Sequence, residues 1–368
     1  MSTATPLNLA DMEVAARMAL DRATWAYVAG GAGCERGIAG NLEALDSVWL
    51  QPRALLGGTP AQTGCTLLGT RLALPVLLAP TSPQRLLHPQ AELATARAAA
   101  EAGSISIVST DSHYAFAEIA EQAPQRCWFQ LYAYRSQRDV DASLDMAAAA
   151  GAAALVVTVD ASFAARRLST RRAGFHVPAD IAFGTLRALG IGDGSVPANG
   201  RMERLALRWE DLERLRRRWK GPLLLKGVLD PRDARRGLDC GVDGLIVSNH
   251  GGRQLDAVVP SLWALQRIVE QVGRARPLLL DGGIRSGTDV IKALAIGAHA
   301  VCIGRPYLWG LALGGQAGVH SVLTLLQAEL QDAMMQMGLS SLEEIDPDCL
   351  VDPRTLRARA PSWGADHA

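Results

Sequence analysis

The chain lacks a dominant charge, a paired-cysteine motif and an apolar run long enough to span a membrane. Lys and Arg number 37, Asp and Glu also 37, so the formal net charge is zero. Nothing in that balance points to a polyanion partner, and nucleic acid is not expected. The basic run Arg214-Leu215-Arg216-Arg217-Arg218-Trp219-Lys220 follows Trp209-Glu210-Asp211-Leu212-Glu213 and reads as the solvated face of a helix. Six cysteines, at 34, 65, 127, 240, 302 and 349, include no C-x-x-C pair. A metal or disulfide framework is therefore not expected, and a reducing cytoplasm is the natural setting. Met1 to Leu20 contains acidic residues and no basic-then-apolar order, so no signal peptide is read. The Ala-rich stretch from Met146 to Val159 holds Gly151 and runs into Asp160, which suits a helix followed by a strand, not a membrane span.

What is present is a large apolar fraction, 49% of 368 residues, with 20% charged, enough for a sizeable core. Residues 8 to 32 suggest an N-terminal helix ending in Gly30-Gly31-Ala32-Gly33, and 34 to 74 contain short segments and turns. Apolar runs of strand length then begin at Pro75, Ser104, Cys127, Ala154, Pro222, Gly244, Pro277 and Ala300. Each is nearly continuous in apolar residues, as parallel strands covered on both faces should be. Helix-like segments separate them: 91–102, 115–122, 140–150, 211–220, 231–239, 262–272 and 288–295. This alternation predicts an α/β fold, a (β/α)8 TIM barrel in a single domain. An open doubly wound sheet is the rival, and the lack of G-x-G-x-x-G after the first strand counts against it. The expected division is 1–74 as lead-in, 75–340 as barrel and 341–368 as C-terminal tail, with a helix from Gln316 to Met337. The longest interruption, Ala161 to Arg208, includes Gly190-Ile191-Gly192-Asp193-Gly194-Ser195 and reads as a functional or mobile loop. The tail after Asp352 reads as exposed and weakly ordered.

In such a barrel, reactive groups stand at the C-terminal strand ends. The second strand ends in Ser109-Thr110-Asp111, the third in Gln130-Leu131-Tyr132 and the fourth in Thr158-Val159-Asp160. The fifth ends in Lys226-Gly227 and the sixth in Ser248-Asn249-His250. Polar groups at five corresponding places are costly to bury unless they bind something. After the sixth strand, Gly251 and Gly252 separate His250 from Arg253. A tight loop there would present a proton carrier beside a rigid fork for a carboxylate or phosphate. Asp281-Gly282-Gly283-Ile284-Arg285 and Gly304-Arg305-Pro306 follow the seventh and eighth strands, where barrels commonly hold a phosphate. A phosphate-bearing cofactor with a small acidic substrate follows from these features. Composition and spacing do not identify the cofactor.

The segment SNHGGRQLD, with LLLDGGIRSGTDVIKALAIGA and IGRP downstream, resembles the FMN-dependent 2-hydroxy acid oxidase and dehydrogenase family. That family includes glycolate oxidase, lactate oxidase, mandelate dehydrogenase and hydroxymandelate oxidase. The resemblance runs from about Tyr27 to about Gly318 and includes APT at 79–81, FQLY at 129–132, TVD at 158–160 and LLKG at 224–227. It implies FMN held around Pro80, Thr81 and Ser82, and by Ser109, Gln130, Thr158, Lys226 and Ser248. The FMN phosphate would meet Asp281, Gly282, Gly283, Ile284, Arg285, Gly304 and Arg305, with Asp281 serving the ribityl chain. The substrate carboxylate would be bound by Arg253, Tyr27 and Arg167, with Tyr132 on the hydroxyl or carboxylate. His250 would be the base, Asp160 its orienting partner, and Lys226 a fixed cation beside the flavin.

The implied reaction is oxidation of an (S)-2-hydroxy acid to a 2-oxo acid, with oxygen reduced to hydrogen peroxide. A quinone or carrier protein as acceptor is the alternative, and a non-redox flavin barrel such as an isomerase a more distant one. A cytoplasmic homotetramer without a membrane anchor follows by analogy alone. Two departures from the family pattern stand out. Ser82, followed by Pro83, replaces the usual alanine or glycine near the flavin's reactive edge and bears on oxygen access. Asp111 stands where glycolate-oxidising members carry tryptophan, which argues for a substrate larger than glycolate, such as mandelate or 4-hydroxymandelate. An exposed Asp111 would instead favour a polar or cationic substrate side chain.

Overall fold

The computed structural model describes residues 6–56, 60–134, 136–191 and 204–352. Eight strands form a closed parallel barrel: β1 (Val76–Leu78), β2 (Ser106–Ser109), β3 (Cys127–Leu131), β4 (Leu155–Thr158), β5 (Leu223–Val228), β6 (Gly244–Val247), β7 (Leu278–Asp281) and β8 (Ala300–Ile303). They neighbour one another in sequence order, and β8 pairs with β1 to close the ring. All eight begin within the apolar runs, five of them extending one to three residues further, so the alternating pattern predicted the barrel correctly.

Strand geometry explains how an all-apolar run serves two cores. Successive side chains point to opposite faces, and the buried residues sort accordingly. Leu77, Ile107, Trp128, Val156, Leu224, Ile246, Leu279 and Cys302 pack together inside the ring. Their neighbours Val108, Phe129, Val157, Leu225, Val247, Leu280 and Val301 belong to the core shared with the surrounding helices. A small antiparallel pair, Cys65–Leu67 with Thr70–Leu72, adds Leu67 and Leu72 to the interior cluster.

The N-terminal segment is more regular than expected. It forms three helices, Leu9–Ala19, Arg22–Ala29 and Arg36–Asp46, the first two started by Asn8 and Asp21 side chains that accept backbone N–H groups. The expected C-terminal helix starts earlier, running Arg305–Met337 with a break at Gly314 and Gly315. Trp49–Leu50 pairs with Leu350–Val351, so chain from both ends of the described region meets on one side of the barrel. The long excursion after β4 is not plain loop: Leu168–Arg172 and Gly184–Ala188 are helical. Gly192 to Ser195 and the tail beyond Asp352 lie outside the described residues. The basic run lies on the helix Trp209–Arg218, where Arg216 pairs with Asp243 and Arg218 with Asp145, as a solvated face would. Among the described residues no helix is long and apolar enough to cross a membrane.

Candidate active site

Two residues beyond the apolar interior position, the same face turns polar on six of the eight strands. Ile107 gives way to Ser109, Trp128 to Gln130 and then Tyr132, and Val156 to Thr158 and then Asp160. Leu224 gives way to Lys226, Ile246 to Ser248 and Leu279 to Asp281. Register sets Ser109 beside Gln130 and Thr158 beside Lys226. Above this ring opens a cavity of about 540 Å³. Every predicted site residue lines it except Gln130, Thr158, Asp160 and Ser248.

His250 opens a loop in which three successive residues take positive φ: 58° for His250, 61° for Gly251 and 73° for Gly252. A side chain at Gly252 would come within 2.6 Å of the Ile38 backbone nitrogen, so only glycine lets this loop press against the helix Arg36–Asp46. Asn249 accepts the Gly252 N–H and pairs reciprocally with the buried Asn41 amide. His250 Nδ1 lies 3.0 Å from Asp160 Oδ1, which leaves Nε2 as the free ring nitrogen. Gly227 makes room for that carboxylate, since a Cβ there would stand 2.6 Å from Asp160 Cγ. Removal from water pulls the His250 pKa below its ordinary value, and Asp160 opposes the shift without cancelling it. Burial raises the Asp160 pKa, but His250 and then Lys226 outweigh it, so the carboxyl stays ionised. Lys226 Nζ, itself buried, lies 2.8 Å from both Asp281 Oδ2 and Ser248 Oγ. Burial disfavours its charge, yet Asp281 and Asp160 hold its pKa above the usual lysine range.

Arg253 has a different environment. Its guanidinium donates to the carbonyls of Val28 (3.0 Å) and Gly30 (2.8 Å), and among the described residues no ion pair joins it to a carboxylate. Burial, then Arg167 and Arg305, push its pKa well down, which marks a cation site short of an anion. Tyr27 lies between, its ring 5.5 Å from the Arg253 guanidinium carbon and 5.8 Å from that of Arg167. Its hydroxyl donates to the Ser82 carbonyl and its ring stacks on Phe175, a partner that sequence reading missed. At the other end, Arg285 and Arg305 are also drawn below their usual pKa by burial, Arg305 to about 10 with help from Arg285 and Arg167. They flank the start of the helix Arg305–Met337, whose N-cap Gly304 has no side chain to satisfy the first N–H groups. Free amides, a helix dipole and two guanidiniums suit an anion such as a phosphate.

The side formed by Asp111 corrects an expectation. Asp111 is not exposed: its side chain is 8% exposed and pairs at 2.7 Å with Arg204, itself 7% exposed. Tyr134 donates its hydroxyl to the same carboxylate. The case for a cationic substrate side chain on account of an open Asp111 is thereby removed. Ser82 is tied into the same wall, its hydroxyl donating to the Asp111 carbonyl.

Among the described residues, the buried polar atoms around the mouth that have no hydrogen-bond partner include Gln130 Nε2 and Oε1, Thr158 Oγ1, Asp160 Oδ2, Arg204 Nε and Asp281 Oδ1. Buried groups of this kind are seldom left unsatisfied. An amide offering both a donor and an acceptor suits the edge of a flat heterocycle that alternates C=O and N–H. The model of the FMN-dependent dehydrogenase family matches residues 16–352. The chain belongs to that family. Its cofactor is FMN, and the orphaned Gln130, Thr158 and Asp281 atoms, the Lys226 cation and the anion site fit that molecule from ring to phosphate. Family relatives include the L-lactate oxidase of Nostoc sp., 42% identical over 94% of this chain and 98% of its own. The 4-hydroxymandelate oxidase of Amycolatopsis orientalis is 43% identical over 93% of this chain and 96% of its own. The crystal structure of mandelate oxidase with benzoyl-formic acid superposes with a TM-score of 0.87 at 41% identity, covering 94% of this chain and 98% of that one.

Proposed function

We propose that this FMN-dependent family member oxidises (S)-2-hydroxy acids larger than glycolate, mandelate or 4-hydroxymandelate among them, to 2-oxo acids. One observation carries the reading: a carboxylate-seeking Arg253 stands three residues from a histidine whose Nδ1 is held by Asp160. Fork and base thus face one small anionic molecule that also carries a proton to be removed. In this reading the barrel at 75–340 supplies the site together with Tyr27 from the lead-in 1–74. The protein is further taken as a cytoplasmic homotetramer, which light scattering on the purified enzyme tests.

The substrate carboxylate lies against Arg253, supported by Arg167 and Tyr27, so that its α-carbon and hydroxyl face His250 and Tyr132. His250 Nε2 takes a proton from the substrate; Asp160 fixes the tautomer and stabilises the imidazolium that results. Tyr132 stays a neutral donor, its pKa raised by burial against the pull of Arg204. FMN would be held at the ring by Pro80, Thr81, Ser82, Ser109, Gln130, Thr158, Lys226 and Ser248. Asp281 to Arg285 with Gly304-Arg305 would hold the chain and phosphate. When bound, it supplies a two-electron acceptor, those electrons passing on to oxygen as hydrogen peroxide. Lys226 would place a fixed positive charge where reduction puts negative charge.

The decisive experiment is anaerobic mixing of the yellow enzyme with (S)-mandelate, followed by oxygen. Bleaching within the turnover time, then reoxidation with stoichiometric peroxide, is expected. A flavin that stays oxidised defeats the substrate class; bleaching with sluggish reoxidation replaces oxygen by a quinone or carrier acceptor.

A further inference from the structure

A second cluster of ionisable groups lines the cavity, and the reaction described above gives it no task. Asp111 follows β2 and His250 follows β6, four strands round the ring, so the two stand on opposite sides of the mouth. Arg204 arrives there as the chain returns from the excursion after β4. Its Nη2 meets Asp111 Oδ2 at 2.7 Å, and its Nη1 donates to the Ala161 carbonyl at 3.0 Å, where the excursion begins. Its guanidinium carbon lies 3.2 Å from the centroid of the Tyr132 ring, a close cation–π stack. Asp111, Tyr132 and Arg204 all line the cavity.

The pair is charge-matched within itself. A carboxylate on a substrate side chain would meet Arg204 already engaged and Asp111 repelling it. An ammonium would meet Asp111 engaged by Arg204 and Tyr134, and Arg204 repelling it. Either substrate would bring a charge that this buried wall does not match. An uncharged side chain meets no such penalty and can lie along the Tyr132 ring. The same pair also holds that ring, because Arg204 is fixed at both ends while it stacks.

We propose that Asp111 and Arg204 are a specificity-determining pair. It restricts the enzyme to 2-hydroxy acids with uncharged side chains and positions Tyr132 for them. The proposal rests on the 2-hydroxy acid reading above. The test uses the FMN-loaded parent, Asp111→Asn, Arg204→Gln and the double variant. Each is mixed anaerobically with (S)-mandelate, 2-hydroxysuccinate and 4-amino-2-hydroxybutanoate, and kcat/KM is taken from flavin bleaching. In the parent, mandelate should exceed both charged compounds by about a hundredfold or more, as an unmatched buried charge demands. Asp111→Asn should raise the 2-hydroxysuccinate to mandelate ratio by about tenfold or more, and Arg204→Gln the amino compound's ratio likewise. The double variant, neutral again, should return to favouring mandelate while its KM stays raised, because Tyr132 has lost its clamp. Unchanged ratios in the single variants overturn the proposal. If the single variants do not fold, a parent that handles charged and uncharged substrates within about tenfold overturns it, and a larger gap shared by the double variant supports it. Bleaching by no 2-hydroxy acid at all defeats the oxidation reading itself and this proposal with it.

Discussion

The His250 side of the cavity and the Asp111 side stand four strands apart on one ring, yet they are assembled from very different lengths of chain. His250, Ser248, Lys226 and Asp160 sit on or directly after strand ends, where the inside–outside parity of the barrel fixes their direction. Asp111 also follows a strand, but its partners Tyr134 and Arg204 come from beyond the next strand and from the return of a long excursion. The first side leaves a fork and a base open to a ligand. The second has matched its charges internally. One wall of a site can therefore be chemically expectant while the facing wall is charge-paired, even though Arg204 Nε is left without a hydrogen-bond partner there.

The sharpest way to break that contrast is at the base. His250→Ala should keep bound FMN and its yellow colour but slow flavin reduction by roughly 10²–10⁴-fold, the range for removing a positioned base. Stopped-flow bleaching measures it, and a near-parental rate would move the base elsewhere. Arg253→Lys keeps the charge and loses the fork. Losing one charge-assisted hydrogen bond costs about 1.5–3 kcal/mol, so KM should rise by roughly ten- to a hundredfold.

These two positions were legible because the sequence carries both their identity and their direction. Strand parity places Gln130 with Tyr132 and Thr158 with Asp160 on the inner face, and the Gly251-Gly252 step has one conformational purpose. The Asp111 wall was not legible. Its identity was visible as a departure, but whether it faced water depended on Arg204, 93 residues away. That distance is bridged by chain whose path no periodicity encodes. The same limit hid Phe175 against Tyr27 and gave the N-terminal segment fewer helices than it has.

A pH profile sharpens the comparison from the base side. His250 works when neutral, and its pKa is held below the ordinary imidazole value by burial, so kcat/KM should be flat near neutrality and fall only as pH drops through that lowered value. Asp160 is the main influence raising this pKa. Asp160→Asn should therefore move the acid limb to still lower pH, while the plateau itself drops because the imidazolium loses its partner. A limb that moved toward neutrality would show that Asp160 acts otherwise.

The smallest expected effect lies at the edge of the charge-paired wall. Tyr134 is fully enclosed, its pKa raised well above normal by burial and then by Asp111, so it remains a hydroxyl donor to that carboxylate at any working pH. Tyr134→Phe removes the donor but leaves Arg204 in place to match the charge. The cost should be that of one hydrogen bond to a charged group, about 1.5–3 kcal/mol of stability, with kcat/KM for mandelate changed less than about fivefold. Thermal unfolding of the FMN-loaded variant and steady-state kinetics measure the two. If the loss instead equals that of Asp111→Asn, the hydroxyl and not the guanidinium holds Asp111, and the wall is a hydrogen-bonded carboxylate with an incidental arginine. The difference between those two variants thus measures how much of the wall is ion pair.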